Sequence, residues 1–439
     1  MSITDTNSAP VMGFRPTAPI LVLSLTVAAV AELIGSVTLG LGKGAVVIFP
    51  MVWGLVIAVV ISVQRWRPLG VGLQKAASSI VATAVLVLIA RLAFNIGSSL
   101  SLLRDVGPAL ALQELGHLLG TVGLALPLAV LLKMGRSAVG ATFSLDREPS
   151  FAMVGERYGQ DSEQYRGVLA MYVFGTLFGA AYITILASFI ASMGWFDPLA
   201  LAMGAGVGSG SMMAAATASI ASSYPDQVQG ITAVAAVSNL LTTVLGVYVG
   251  LYVALPLAQR IYDALTRGRD NAPEAPQPET PDAAQFVRNA MASLVPVSVP
   301  LAVALPGVTV IGIVTASVSG GAFAWSIVWA YLAMDVLVIV SVGLSRLTRI
   351  ISPIIYITTL GTLISSPVSP VADALAPAVK SVGFLSVATV VLTTAGLSLG
   401  KDLPLLRSIG WRIIPTGLVA ITTSFLFASV IAEFTLGLW

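Results

Sequence analysis

The chain has no cysteine, so disulfides, thiolate metal sites and cysteine nucleophiles are all excluded. It has a single histidine, His117, which leaves little for a zinc site. Charge is scarce as well. Only 10% of the 439 residues are Asp, Glu, Lys or Arg, against about 25% in a soluble domain. A net charge of +2 gives no basic surface that would point to nucleic acid. No P-loop is present, since Gly40-Leu41-Gly42-Lys43-Gly44 has the wrong spacing and no following strand pattern. No HExxH pair occurs, and nothing assembles a nucleophile, a base and an orienting group. The chain therefore reads as neither an enzyme nor a cofactor or metal protein. The first residues lack the basic region and cleavage site of a signal peptide, so the first apolar run reads as a retained span.

What is present in abundance is apolar surface: 56% of residues are hydrophobic and the mean hydropathy is +0.94. Runs of about 20 apolar residues recur, each long enough to cross a hydrocarbon core. The fold class is an all-α polytopic membrane protein with about ten transmembrane helices plus a re-entrant hairpin. Residues 1–18 form a cytoplasmic tail, 19–136 the first set of repeat helices and 137–265 an amphipathic segment, a helix, the hairpin and a further helix. Residues 266–286 are a Pro-rich cytoplasmic linker and 287–439 the second set of repeat helices. Within the first set, spans are expected at 19 to 39, 45 to 63, 79 to 96 and 108 to 132. Arg65, Arg67 and Lys75 place the loop after the second span inside.

The hairpin is 198 to 222. Gly204, Gly206, Gly208 and Gly210 put four glycines in seven residues, and each costs about 1 kcal/mol in a helix interior. A break with a half-helix on either side follows. Charge agrees: a straight span here would deliver Arg260, Arg267 and Arg269 outside, whereas a segment that dips in and returns leaves them inside. Discontinuous helices of this kind form carrier binding sites, so Gly206, Gly208, Ser209, Gly210 and Ser211 are substrate-binding candidates.

An offset of 303 residues relates the two ends of the chain. Gly97-Ser-Ser-Leu-Ser-Leu-Leu-Arg-Asp-Val-Gly107 matches Gly400-Lys-Asp-Leu-Pro-Leu-Leu-Arg-Ser-Ile-Gly410 at six of eleven positions. The same offset pairs Pro50 with Pro353, Gly40 with Gly343 and Glu32 with Asp335. By the charge pattern the copies start on opposite sides, as in the inverted repeats of alternating-access carriers. The hairpin has no partner at this offset.

The stretch GATFSLDREPSFAMVGERYGQDSEQYRGVLAMYVFGTLFGA (140 to 180), with GVGSGSMMAAATASIASSYPDQ at the hairpin, resembles an uncharacterised bacterial family of predicted inner-membrane transporters. More distantly, the chain is similar to elevator-type carriers: the 2-hydroxycarboxylate/citrate, glutamate and 2-keto-3-deoxygluconate permeases and the lysine exporters. The resemblance implies a scaffold, a moving transport domain, binding at hairpin tips, a multi-pass protein of the cell inner membrane, and a homodimer. Only the first half carries a clear glycine-rich signature.

Other candidates follow from polar groups in apolar runs. Glu32 and Asp335 are intramembrane carboxyls, which are costly unless paired, hydrated or protonated; they read as a proton or sodium site or as packing groups. Arg91 and Asn95 lie one turn apart, and an arginine fork matches a carboxylate. Arg91 is thus a candidate grip for an organic anion, or else one half of an ion pair with Glu114 or Glu32. Ser98 and Ser99 follow at the helix break, and Thr394 and Ser398 stand at the positions equivalent to Arg91 and Asn95. Glu114 and His117 share a helix face and suit a proton relay, or local hydrogen bonding. Arg147 and Glu148 form a gate or a solvated turn. The expected function is secondary transport of a small organic anion coupled to protons or sodium, with the bilayer, the substrate and the coupling ion as partners; the alternatives are a cation/proton antiporter using Glu32 and Asp335, or a channel.

Overall fold

The computed structural model describes residues 11–41, 44–98, 107–143, 149–159, 162–267, 297–348, 353–402 and 410–437. Nearly every apolar run closes its backbone bonds within its own helix, as a lipid environment demands. The first part comprises α1 (Phe14–Ile34), α2 (Pro50–Val63), α3 (Val71–Ser98) and α4 (Gly107–Gly120), the last running through a π-helical turn into α5 (Leu126–Leu131). The middle part is α6 (Ser137–Thr142), α7 (Pro149–Tyr158), α8 (Glu163–Phe174), α9 (Ala180–Met193), α10 (Pro198–Ala205), α11 (Gly210–Ser223), α12 (Val228–Val249) and α13 (Leu255–Thr266). The last part is α14 (Leu301–Ser319), α15 (Trp325–Thr348), α16 (Pro353–Ser365), α17 (Ala372–Ser381), α18 (Phe384–Ser398) and α19 (Ile413–Leu436). Among the described residues seven helices are long and apolar enough to cross a membrane, and three shorter apolar ones accompany them. The chain is a helical, polytopic membrane protein.

One stretch departs from the helical expectation. The second span does not begin at 45: residues Val37–Leu41 and Gly44–Ile48 pair as an antiparallel hairpin, with Leu39 opposite Val46. The cause is local. Val37, Thr38, Val46, Val47 and Ile48 favour extended backbone, the glycines of Gly42-Lys43-Gly44 suit a hairpin turn, and Pro50 starts α2 at its first turn.

The 303-residue offset reappears as paired contacts. α2 lies along α18 and α16 lies along α3, and each seam closes on small residues. A Cβ on Gly396 would stand 2.7 Å from that of Ala58; one on Gly361 would stand 2.5 Å from that of Ala93. Ala58 is equivalent to Gly361 and Ala93 to Gly396, so the same pair is made twice with alanine and glycine exchanged. Ser62 donates to the carbonyl of Leu397 at 2.8 Å, while its equivalent Ser365 reaches that of Ala93 at 3.4 Å. The matching segments 99–106 and 403–409 lie outside the described residues.

Relative directions come from the same contacts. α4 and α19 pack antiparallel, Gly116 against Phe427 and Gly120 against Thr423. Thr423 donates to the carbonyl of Gly120 at 2.9 Å, so residues 303 apart face each other where these helices cross. α1 runs alongside α14 in the same direction, with Leu21 on Gly307 and Ser319 beside Glu32. α15 returns along α14, placing Tyr331 on Gly312 and Asp335 on Thr309. Hence α1 and its equivalent α15 also run in opposite directions.

Candidate functional site

The break in the hairpin falls where the glycines are. α10 is capped by Asp197, whose carboxylate accepts from the amide of Leu199 at 2.7 Å, with Pro198 at the first helical position. It ends at Gly206, and α11 restarts at Gly210 with Ser209 as its cap. Both ends of the unit lie together. The Tyr224 hydroxyl donates to the carbonyl of Ala191 at 2.9 Å, and Asp197 stands within electrostatic reach of Tyr224. The chain thus leaves and returns at one end of the unit, and α10 and α11 form a hairpin.

The tip is tied down by α12. Asn239 donates through its amide to the carbonyls of Gly206 and Gly208, at 2.8 and 2.9 Å, and Ser238 donates to the carbonyl of Met203 at 2.7 Å. With those carbonyls engaged and the Met212 amide taken by the Ser209 cap, the tip presents the Gly210 and Ser211 backbone and the half-buried hydroxyls of Ser209 and Ser211, 3.2 Å apart. A helix N-terminus favours negative charge. Gly210 packs close to Val85 of α3.

Beside the tip is a narrow cavity bounded by α3 (Ile89, Leu92, Ile96), α11 (Met213), α12 (Ala236, Asn239, Leu240) and α16 (Ile354, Thr358). Its free volume is about 10 Å³, room for about one water. Both repeat copies and the hairpin unit meet here.

Arg91 is buried, 7% exposed, and points away from this cavity. Its Nε donates to the carbonyl of Val382 and its Nη1 to Asn95 Oδ1, both at 2.9 Å; Asn95 in turn donates to Thr232 Oγ1 of α12 at 2.8 Å. The guanidinium is thus a clip joining α3 to the start of α18 and, through Asn95, to the helix that holds the tip. No ion pair with Glu32 or Glu114 forms; among the described residues the only pair within 4.0 Å is Arg166 with Glu163.

Glu32 and Asp335 are drawn towards one element rather than into one site. Tyr331, 1% exposed, lies within electrostatic reach of Arg91, Asp335 and Glu32. Asp335 Oδ2 accepts from Thr309 at 2.7 Å, whereas Asp335 Oδ1, Glu32 Oε1 and Tyr331 Oη are buried without a hydrogen-bond partner. Glu114 and His117 share a face of α4 but serve different neighbours: His117 Nδ1 meets Ser424 Oγ of α19, and Glu114 lies by Gly246 of α12 with Oε2 buried and unbonded. Next to it Gln113 donates to Thr242 at 3.3 Å.

The remaining candidates are dispersed. Ser98 ends α3, Ser398 turns its hydroxyl back onto Ala395 of its own helix at 2.8 Å, and Ser99, Arg147 and Glu148 lie outside the described residues. Ser238, Asn239, Thr232 and Tyr331 went unnoticed in the sequence, although polar side chains within long apolar runs mark such positions. No group of three His, Asp or Glu residues suited to a metal occurs among the described residues.

A family model described as "Protein of unknown function (DUF3100)" matches residues 29–264. No curated protein and no solved structure matches the chain. The matched region runs from the end of α1 to α13 and so contains the whole hairpin unit and its anchor Asn239. The chain belongs to this family.

Proposed function

We propose that this DUF3100 protein is a secondary active transporter of a small organic anion, coupled to protons or sodium, in which the hairpin-bearing unit moves as an elevator in the cell inner membrane. The observation that carries the reading is the hairpin tip. Interrupted backbone at membrane depth is tolerated where it lines a cavity, and here it lies beside one, with the N-terminus of α11 and the Ser209 and Ser211 hydroxyls at the break. In this reading the α11 amides meet the anion, Asn239 holds the tip in shape, and the α3–α12 link through Asn95 joins the moving unit to its surroundings. The 303-residue pairing of contacts supports alternating access, since opposed copies supply two related arrangements of one site.

A cation/proton antiporter is the second reading. Its support is specific: Glu32, Asp335 and Glu114 each keep a buried carboxylate oxygen without a hydrogen bond. Intramembrane carboxylates of this kind mark ion paths.

Uptake into proteoliposomes under imposed proton or sodium gradients separates the two. Anion accumulation that is lost in Asn239→Leu supports the first reading. Sodium-stimulated proton movement without any organic substrate, abolished by Glu32→Gln or Asp335→Asn, replaces it with the second.

A further inference from the structure

We infer that Glu114, Gln113 and Thr242 hold a sodium ion in a space beside Gly246, and that the coupling ion binds there. The binding site stands on its own oxygens; its part in coupling rests on the carrier reading above. Gln113 and Glu114 of α4 both reach α12. Gln113, fully buried, donates its amide nitrogen to Thr242 at 3.3 Å and keeps its side-chain oxygen without a partner. Glu114, 5% exposed, has Oε2 buried and unbonded. Its Oε1 lies 3.7 Å from the place that a Cβ on Gly246 would take, and the Thr242 methyl borders the same place at 4.0 Å. Thr242 and Gly246 are one turn apart and so share a face of α12.

These surroundings supply oxygen and no positive charge. Among the described residues no cation of the chain lies within 4.0 Å of Glu114, and neither α10 nor α12 carries a charged residue. His117, one turn along α4, turns its Nδ1 to Ser424 of α19. A buried carboxylate in such a place needs a positive charge from elsewhere. A carboxylate, an amide oxygen and a hydroxyl are the ligands a hard cation takes. One negative charge balances one sodium ion, whereas a divalent ion would leave a charge uncompensated. Gly246 supplies the room, which a bare proton would not require. At Gly116 and Gly120, in the seam with α19, backbone atoms stand 2.4 Å from the Cβ position; at Gly246 nothing among the described residues comes closer than 3.7 Å. Gly246 is half-buried, which gives an ion its approach. Thr242 follows by one turn the two residues that tie down the hairpin tip, Ser238 and Asn239. An ion held between Glu114 and Thr242 fixes α12 against α4 and so steadies the tip.

The test is equilibrium binding of radiolabelled sodium to the purified full chain in detergent, with choline chloride holding the ionic strength. Saturable binding is expected in the wild type, weakened at least about 10-fold in Glu114→Gln and in Gln113→Leu. Gly246→Ala is the sharper variant, because it keeps every oxygen and suits a helix better than glycine. Filling the ion's space should weaken sodium binding about 10-fold, while thermal unfolding in choline chloride stays at or above wild type. A glycine present only for packing would give unchanged sodium affinity. No saturable sodium binding in the wild type, or equal affinity in wild type and Gly246→Ala, overturns the inference and leaves the carrier reading to uptake under a proton gradient. Sodium binding lost in the variants, with no organic anion moved under a sodium gradient, supports the site and overturns the carrier reading.

Discussion

Two equivalent helices behave differently. α3 of the first copy and α18 of the second pack into the same kind of seam, α3 on α16 and α18 on α2, with Ala93–Gly361 in one and Ala58–Gly396 in the other. Their polar residues diverge. On α3, Arg91 and Asn95 reach out to Val382 and Thr232 on other elements. On α18 the equivalents Thr394 and Ser398 turn back onto Val390 and Ala395 of their own helix. The backbone frame is therefore shared by both copies, whereas at these two pairs of positions only the first copy links to other elements. A repeat keeps the packing that both copies need, while polar side chains off the seam diverge.

Breaking the shared frame should have the largest effect, and the same effect in both copies. Gly97→Val and Gly400→Val each drive a side chain into the backbone of a facing helix, at Thr362 and Ser62. Each should cost about 3 kcal/mol or more, read as loss of a monodisperse peak on size exclusion; a stable variant in one copy only would break the comparison. Arg91→Gln should come next, since it strands the Val382 carbonyl, at about 1–3 kcal/mol in thermal unfolding. Thr394→Val should stay within about 0.5 kcal/mol of wild type. The smallest contrast is Asn95→Ala, about 1 kcal/mol, against Ser398→Ala, about zero. Equal losses for Asn95 and Ser398 would show that the polar load is not asymmetric.

Much of this architecture was legible in the sequence, for identifiable reasons. The hairpin showed itself through glycines that no helix interior tolerates well. The repeat showed itself because helix starts such as Pro50 and Pro353, and seams made of glycine, tolerate little drift. The strand pair at 37–48 was hidden by its hydrophobicity, which mimics a span when length alone is considered; the β-branched alternation around Gly42-Lys43-Gly44 was the available signal. Arg91 was visible as a buried cation, but its partner is a main-chain carbonyl 291 residues away, and a carbonyl leaves no trace in residue types. Asn239 stands in an apolar run without a motif around it. Its role exists only because α12 passes the hairpin tip.

The absence of cysteine makes the most direct test simple, because a single thiol can be introduced without a background. Ser211→Cys sits at the hairpin tip and is labelled with a membrane-impermeant maleimide applied to either face of sealed vesicles of known orientation. Alternating access at the tip predicts modification from both faces, with the two rates moving in opposite directions when a proton or sodium gradient is imposed. Modification from one face alone, unchanged by any gradient or organic acid, would contradict a moving hairpin and with it the carrier account.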